Sequence, residues 1–140
     1  MTIADASTTV DRVTTRFTTL FDHGITLDCG RQIGAITVAW EQYGTPNRDR
    51  TNVILVCHAL SGGAHAAGWH EDGARPGWWN ELIGPGRAFD TSRFCIVSTN
   101  VLGGCYGTTG PASIDPAPLL PHGPDFPVFP IGAMVRGRRA

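Results

Sequence analysis

The segment at residues 52–57 reads NVILVC, a continuous run of mostly β-branched apolar residues. A run without polar alternation is typical of a strand buried on both faces, as in a parallel sheet. It leads directly into a loop of small residues, 58–63 (HALSGG). Residues 93–99 (RFCIVST) form a second run of this type, followed by another Gly-rich loop. The two strand–loop pairs predict an open α/β sheet, in which ligands lie beyond the carboxyl ends of the parallel strands.

The sequence on either side predicts the rest of one α/β domain over residues 1–140. Residues 13–21, 25–27 and 33–43 have the composition of strands joined by turns, and 78–83 predict a short helix. Residues 1–12 predict a loose arm, and 111–140, which hold seven of the ten prolines, predict an irregular tail. Two central parallel strands without a further crossover leave a long open edge, so we expect the domain to be incomplete.

Composition limits the classes of partner and chemistry. A net charge of −1 leaves no broad basic face for nucleic acid. All 11 basic residues are arginines, which excludes a Schiff-base lysine and a Walker A phosphate loop. With no long apolar run and no apolar amino-terminal signal, we expect a cytoplasmic protein without a membrane partner. Cys57 and Cys95 lie within apolar runs and are predicted to be buried thiols.

The loop at 58–63 is the first candidate site. Backbone N–H groups that follow a strand can bind an anion, and in α/β-hydrolases such a group stabilises the oxyanion of the reaction. Leu60 would then act through its backbone amide. The competing interpretation is a structural turn.

Two other arrangements of the same region are weaker. The string Ala59-Leu60-Ser61-Gly62-Gly63 resembles a relaxed nucleophile elbow, with Ser61 as nucleophile and a triad completed by His122 and Asp90, Asp115 or Asp125. His122, however, lies in the Pro-rich stretch. A metal site made by His58, His65 and His70 is disfavoured because their spacing matches no ligand motif, and no metal is expected.

Several strings resemble the homoserine O-acetyltransferase family, an acyltransferase branch of the α/β-hydrolase fold. They are residues 56–68 (VCHALSGGAHAAG), 77–91 (GWWNELIGPGRAFDT) and 100–113 (NVLGGCYGTTGPAS), and 38–45 (VAWEQYGT) fit the family's early strand. The resemblance runs from about position 17 to position 135. It implies the amino-terminal portion of an α/β-hydrolase fold, with antiparallel first strands followed by parallel strands.

The resemblance implies transfer of an acetyl group from acetyl-CoA to the hydroxyl of L-homoserine, a step of methionine biosynthesis. Acetyl-CoA is then a substrate, and no bound cofactor is expected. Family members use a Ser-Asp-His triad in a ping-pong mechanism. The resemblance also implies a homodimer for the full-length family.

The resemblance assigns Leu60 to the oxyanion loop and places two groups of residues near the site. These are His58, Ala59, Ser61 and Gly62 in the first loop, and Asn100, Gly103, Gly104, Cys105, Tyr106 and Gly107 in the second. The nucleophile, acid and base are expected beyond Ala140, so Ser61 is not the family's nucleophile and the isolated chain is expected to be inactive.

Three alternatives stay open at this point. The chain is also compatible with a non-catalytic module that pairs its open strand edge with another chain. A related serine or homoserine O-acyltransferase, including one that uses succinyl-CoA, is the second alternative. The third is a small serine hydrolase that uses Ser61.

Overall fold

The computed structural model of the chain describes residues 10–115, 119–128 and 130–136. Their contacts group into two compact units. The first contains the described residues up to Arg16 together with Trp40–Thr99, and the second contains Phe17–Ala39 and the described residues from Asn100 on. The strands are β1 (Arg16–Leu20), β2 (Ile25–Thr26), β3 (Gln32–Ile33), β4 (Ile36–Tyr43), β5 (Val53–Val56), β6 (Ile83–Gly84), β7 (Phe89–Asp90), β8 (Cys95–Thr99), β9 (Ile114–Asp115) and β10 (Leu120–Pro121). A 3₁₀ turn (Gly123–Asp125) and helix α1 (Ile131–Arg136) follow.

The sheet of the first unit has the strand order β4-β8-β5. The second half of β4 runs antiparallel to β8, from the pair Trp40–Thr99 to the pair Tyr43–Ile96. β5 runs parallel to β8, and Val56 lies opposite Ser98. The predicted change from antiparallel to parallel pairing is confirmed, and the carboxyl ends of β5 and β8 therefore lie at the same edge of the sheet.

β8 has the burial expected of a central strand. Cys95, Ile96 and Ser98 are buried, as the apolar run predicts. Ile96 packs in the core of the unit, and a fully buried side chain of this size contributes about 1.5–3 kcal/mol. The core consists of Tyr43, Val56, Ala66, Ala67, Ile83 and Ile96.

β5 differs from the prediction. Val53 and Leu55 are 41% and 48% exposed, whereas Val56 on the opposite face is buried. β5 stands at the edge of the strand order, and in the described part of the chain its outer face stays open to solvent. The prediction of a strand buried on both faces is therefore wrong for β5, and the prediction of a buried thiol is wrong for Cys57, which is exposed, although it is confirmed for Cys95.

The predicted helix at 78–83 is also wrong. The segment forms successive turns, in which the N–H of Asn80 donates to the carbonyl of Gly77 and that of Leu82 donates to Trp79. The chain then enters β6, which pairs in parallel with β7. Gly77 lies so close to the preceding loop that a Cβ there would stand 2.1 Å from the nitrogen of Ala67. Tertiary packing of this glycine fixes the path, which local propensity does not reveal.

Short elements also occupy the two ends that were predicted to lack structure. Residues 1–9 of the predicted arm lie outside the described residues, but Trp69 exchanges backbone hydrogen bonds with Asp11 and Val13. In the tail, β9 and β10 form an antiparallel hairpin. The prolines do not prevent these short strands from forming, and Pro121 is itself the last residue of β10.

The second unit is built on β1, the first half of β4, and two hairpins. Its core consists of Leu27, Ile33, Ile36 and Leu102, with Phe126 packed against it. Among the described residues, no helix is both long and apolar enough to cross a membrane.

Candidate functional site

The loop after β5 forms a tight turn at Leu60. The N–H of Gly62 donates to the carbonyl of Ala59 at 2.8 Å, which closes a turn around Leu60. The Leu60 side chain is fully exposed, and its amide donates no hydrogen bond to any residue that the structure describes. The indole N–H of Trp78 donates to the carbonyl of Gly63 at 3.0 Å and anchors the end of the loop. The loop thus offers a donor where an oxyanion could accept it.

Two buried hydroxyl groups lie at the carboxyl end of β8, at the edge of the sheet where β5 also ends. The Oγ of Ser98 and the Oγ1 of Thr99 are buried, and within the described chain neither has a hydrogen-bond partner. An unpaired buried polar group costs about 1–3 kcal/mol, so such groups in a native structure call for an explanation such as a ligand or water. Sequence reasoning missed both residues, although two hydroxyl residues closing an apolar run were a visible signal.

Asn100 opens the second candidate loop, which belongs to the second unit. Its backbone is fully used, because its N–H donates to Ala39 at 2.8 Å and its carbonyl accepts the hydroxyl of Thr108 at 3.0 Å. Its side chain is buried, and both amide atoms are without a partner in the described part of the chain. A Cβ at Gly104 would come within 2.9 Å of that amide, so a glycine is needed there.

The remaining predicted residues of this loop shape its path. Gly103 and Gly107 have φ values of +79° and +91°, which favour glycine. A Cβ at Gly107 would also stand 2.8 Å from the ring of Phe17. Cys105 and Tyr106 are exposed between these glycines. The loop therefore presents the buried side-chain amide of Asn100 and the exposed side chains of Cys105 and Tyr106.

The triad hypothesis is supported only for one pair. His122 Nδ1 lies 3.4 Å from Asp115 Oδ2, next to the β9–β10 hairpin. Asp90 instead accepts the backbone N–H groups of Gly86 and Ser92, which lower the pKa of its carboxyl. Ser61 lies in the other unit, and the structure records no hydrogen bond from its hydroxyl to a described histidine.

A second polar region of the first unit was missed by sequence reasoning. Glu41 on β4 is completely buried. Its Oε1 accepts the hydroxyl of Thr15 at 2.8 Å and Nε2 of His70 at 2.8 Å. Its Oε2 accepts the hydroxyl of Tyr43 at 2.7 Å and Nδ1 of His65 at 3.1 Å. We call Glu41, Tyr43, Thr15, His65 and His70 the Glu41 cluster. Its signal in the sequence was a charged residue inside an apolar strand pattern.

The hydrogen bonds of the Glu41 cluster set its charge. Burial would raise the pKa of Glu41, but the hydrogen bonds from His65, Tyr43, His70 and Thr15 outweigh burial and lower it to about 2. Burial and the adjacent carboxylate raise the pKa of Tyr43, so its hydroxyl stays protonated.

The Tyr43 hydroxyl extends the cluster to the backbone that follows the 58–63 loop. It accepts the N–H groups of Ala66 and Ala67 at 2.7 and 3.0 Å while it donates to Glu41. The cluster thereby pins residues 64–70 to β4. Two of the three histidines considered for a metal site, His65 and His70, come together here, whereas His58 does not.

The relatives of the chain are homoserine O-acyltransferases. No protein-family model matches the chain. A homoserine O-acetyltransferase from Methanosalsum zhilinae is 57% identical over 113 residues, which cover 81% of this chain and 23% of that protein. A homoserine O-succinyltransferase from Magnetococcus marinus is 54% identical over 115 residues, which cover 81% of this chain and 29% of that protein.

Solved structures show which fold the chain has. The homoserine O-acetyltransferase from Bacillus anthracis superposes with a TM-score of 0.83 at 36% identity, over 93% of this chain and 36% of that one. Esterase E22 superposes with a TM-score of 0.80 at 40% identity, over 91% of this chain and 36% of that one. The fold is that of the α/β-hydrolases. The chain spans about a quarter to a third of the length of the first curated relatives.

Proposed function

Because the chain belongs by sequence to the family of homoserine O-acyltransferases, we propose that it supplies the oxyanion-binding part of an enzyme that acetylates L-homoserine with acetyl-CoA. The observation that carries this proposal is the tight turn directly after the parallel strand β5, in which the amide of Leu60 has no acceptor among the described residues. In α/β-hydrolases, one oxyanion donor comes from a loop in this position and the other from the residue after the nucleophile.

The proposed reaction proceeds in two acyl transfers. A serine attacks the thioester carbonyl of acetyl-CoA while a histidine removes the proton of its hydroxyl, and the resulting oxyanion accepts the N–H of Leu60. The carbon–sulfur bond then breaks, and the histidine gives this proton to the coenzyme A thiolate. In the second half, the hydroxyl of homoserine attacks the acetyl-serine ester while the same histidine removes its proton. The ester bond to the serine breaks, the histidine gives the proton to the serine oxygen, and O-acetylhomoserine leaves.

The serine, aspartate and histidine of this triad are proposed to come from sequence outside these 140 residues. Relatives three to four times as long as the matched segment support this assignment. His58, Ala59, Ser61 and Gly62 then shape the oxyanion loop without a catalytic role. The isolated chain is expected to transfer no acetyl group.

Polar groups at the carboxyl end of β8 fit a role in holding substrate. The hydroxyls of Ser98 and Thr99 in the first unit are buried without a partner among the described residues. Within the second unit, the same holds for the side-chain amide of Asn100. Homoserine carries an ammonium, a carboxylate and a hydroxyl, and the pantetheine arm of acetyl-CoA carries amides, so both substrates offer such partners. In the second loop, Gly104 and Gly107 allow close packing, Gly103 has a positive φ, and Cys105 and Tyr106 are exposed.

The proposal also covers the compartment of the enzyme, its cofactor and its oligomeric state. Because both substrates are small soluble metabolites, we propose that the reaction takes place in the cytoplasm without a nucleic-acid or membrane partner. No bound cofactor is required, because acetyl-CoA is consumed as a substrate. We further propose a homodimer for the full-length enzyme.

A chimera tests the proposal. The 113-residue segment of the Methanosalsum zhilinae enzyme that matches this chain is replaced by the corresponding residues of this chain. We expect the chimera to form O-acetylhomoserine from acetyl-CoA and homoserine, and the isolated 140-residue chain to form none. A folded but inactive chimera, or turnover by the isolated chain, would contradict the proposal.

Hydrolysis is the second candidate function, and the likeness to esterase E22 at 40% identity favours it. Water would then attack the acyl-serine in place of homoserine. The same chimera distinguishes the two functions when it is given p-nitrophenyl acetate with and without homoserine. Acyl transfer predicts O-acetylhomoserine as the product when homoserine is present, whereas an esterase forms only acetate in both cases.

A further inference from the structure

We propose that Glu41, His65 and His70 form a three-ligand site for a divalent transition metal ion such as Zn²⁺. One carboxylate oxygen and one ring nitrogen from each histidine lie within 4.8 Å of one another. Two imidazoles and a carboxylate are a donor set that zinc accepts, with a fourth position left for water or another ligand. This inference does not depend on the acyl-transfer function.

The surroundings of the carboxylate match those of a metal ligand. Metal-binding carboxylates are usually held in place by further hydrogen bonds. Here the hydroxyls of Tyr43 and Thr15 each donate to one oxygen of Glu41, at 2.7 and 2.8 Å. The carboxylate therefore stays in a fixed orientation while both histidine nitrogens face it.

Charge also favours a cation at this position. Glu41 is completely buried, and the partners recorded for its carboxylate in the described part of the chain include no arginine. A buried carboxylate without a cation is unfavourable. A metal ion would supply that positive charge and would replace the two histidine N–H hydrogen bonds.

An opening gives a metal ion access to the cluster. His70 lines a cavity of about 650 Å³ together with Asp11, Arg12, Trp69, Glu71 and Gly73. The His70 side chain is 37% exposed, whereas that of Glu41 is fully buried. A metal ion can therefore approach the cluster from the side of His70, the member that lines the cavity.

Titration with Co²⁺, a spectroscopic substitute for Zn²⁺, tests the site on the full 140-residue chain in a metal-free buffer with a reductant. We expect visible d–d bands of tetrahedral cobalt, without the ultraviolet band that thiolate ligands produce. His65→Asn and His70→Gln keep an N–H donor at the position that faces Glu41 but remove the metal-binding lone pair. Each is expected to lower affinity by about 100-fold, at the upper end of the losses that changes around a metal site cause.

Matched controls separate this site from other ligands. His58→Asn alters a histidine outside the cluster, and serine at Cys29, Cys57 and Cys105 removes the exposed thiols. Both changes are expected to leave the cobalt spectrum and affinity unchanged. Absence of the d–d bands, their persistence in His65→Asn and His70→Gln, or a thiolate band that disappears with the cysteines would overturn the proposal.

A second readout covers the case in which a variant does not fold. In the unchanged ¹⁵N-labelled chain, Zn²⁺ is expected to shift Nδ1 of His65 and Nε2 of His70 and to leave the ring nitrogens of His58 in place. If those two nitrogens do not respond, no metal ion binds the cluster, and the proposal is wrong.

Discussion

Two polar regions of the first unit differ in how completely they are paired. In the Glu41 cluster, each carboxylate oxygen accepts two hydrogen bonds. At the carboxyl end of β8, the hydroxyls of Ser98 and Thr99 are buried and have no partner among the described residues. The regions are neighbours in the sheet, since Glu41 lies opposite Ser98. The contrast indicates that hydrogen bonds within the chain hold the Glu41 cluster in place, whereas the hydroxyls at the end of β8 depend on groups that the described residues do not provide.

The largest effect is expected from removing the carboxylate of the paired region. Glu41→Ala leaves two hydroxyl and two imidazole donors without their acceptor. We expect a loss of about 3–5 kcal/mol in the free energy of unfolding, as for a buried charge network that loses one member. Urea unfolding followed by circular dichroism measures it. A loss below about 1 kcal/mol, the range of exposed pairs, would show that the cluster does not hold the fold.

The pH dependence of stability tests the same carboxylate. Its pKa is about 2 in the folded chain and 4.5 when unperturbed. A depressed folded pKa contributes stability that is fully present above pH 4.5 and is lost as the pH falls towards 2. Unfolding curves between pH 6 and pH 2.5, recorded with a chelator, are expected to show this loss, and Glu41→Gln is expected to remove this contribution. Equal pH profiles for the two proteins would contradict the assignment.

Tyr43→Phe is expected to have an intermediate effect. It removes the acceptor of the Ala66 and Ala67 amides and one donor to Glu41. We expect a loss of about 1–3 kcal/mol, because buried groups are left unpaired in a site that keeps its shape. Hydrogen exchange should become faster at those two amides first. Unchanged protection there would separate Tyr43 from the ordering of residues 64–70.

Ser98→Ala tests the unpaired hydroxyls at the carboxyl end of β8. The substitution removes a buried hydroxyl that has no recorded partner. We expect the free energy of unfolding to stay equal or to rise by up to about 1 kcal/mol, since an unsatisfied group is lost. A marked destabilisation in urea would mean that this hydroxyl is paired within the chain.

Leu60→Ala is expected to have the smallest effect on stability. The side chain is fully exposed, and changes at such positions stay within about 0.5 kcal/mol. The thermal midpoint should therefore match that of the unchanged chain. A clear drop would show that the Leu60 side chain packs in solution and is more than a carrier of its amide.

Local sequence patterns predicted the central part of the fold. The buried strand β8 was predicted from its apolar residues, and the change from antiparallel to parallel pairing was implied by the family resemblance. The same reasoning wrongly predicted that β5 is buried on both faces, because a run such as NVILVC does not show whether a strand is central or at an edge of the sheet. It also gave a helix at 78–83, where the contact of Gly77 with the backbone of the preceding loop decides the path.

The candidate site was predictable where the chemistry is local. The Leu60 turn follows from small residues after a strand, whereas the Glu41 cluster joins residues 15, 41, 65 and 70, whose separation along the chain matches no motif. Only the folded chain shows that the five- and seven-residue histidine spacings leave His58 out and bring His65 and His70 together.

The rate of acetyl transfer by the active chimera, measured after position 60 is changed, tests most directly whether the amide of Leu60 binds the oxyanion. Leu60→Ala keeps the backbone N–H, and Leu60→Pro removes it. If this amide binds the oxyanion, Leu60→Ala keeps kcat near that of the parent, and Leu60→Pro lowers it by about 10²–10³-fold with folding unchanged. Equal kcat values for the two folded variants would show that the amide of Leu60 does not stabilise the oxyanion.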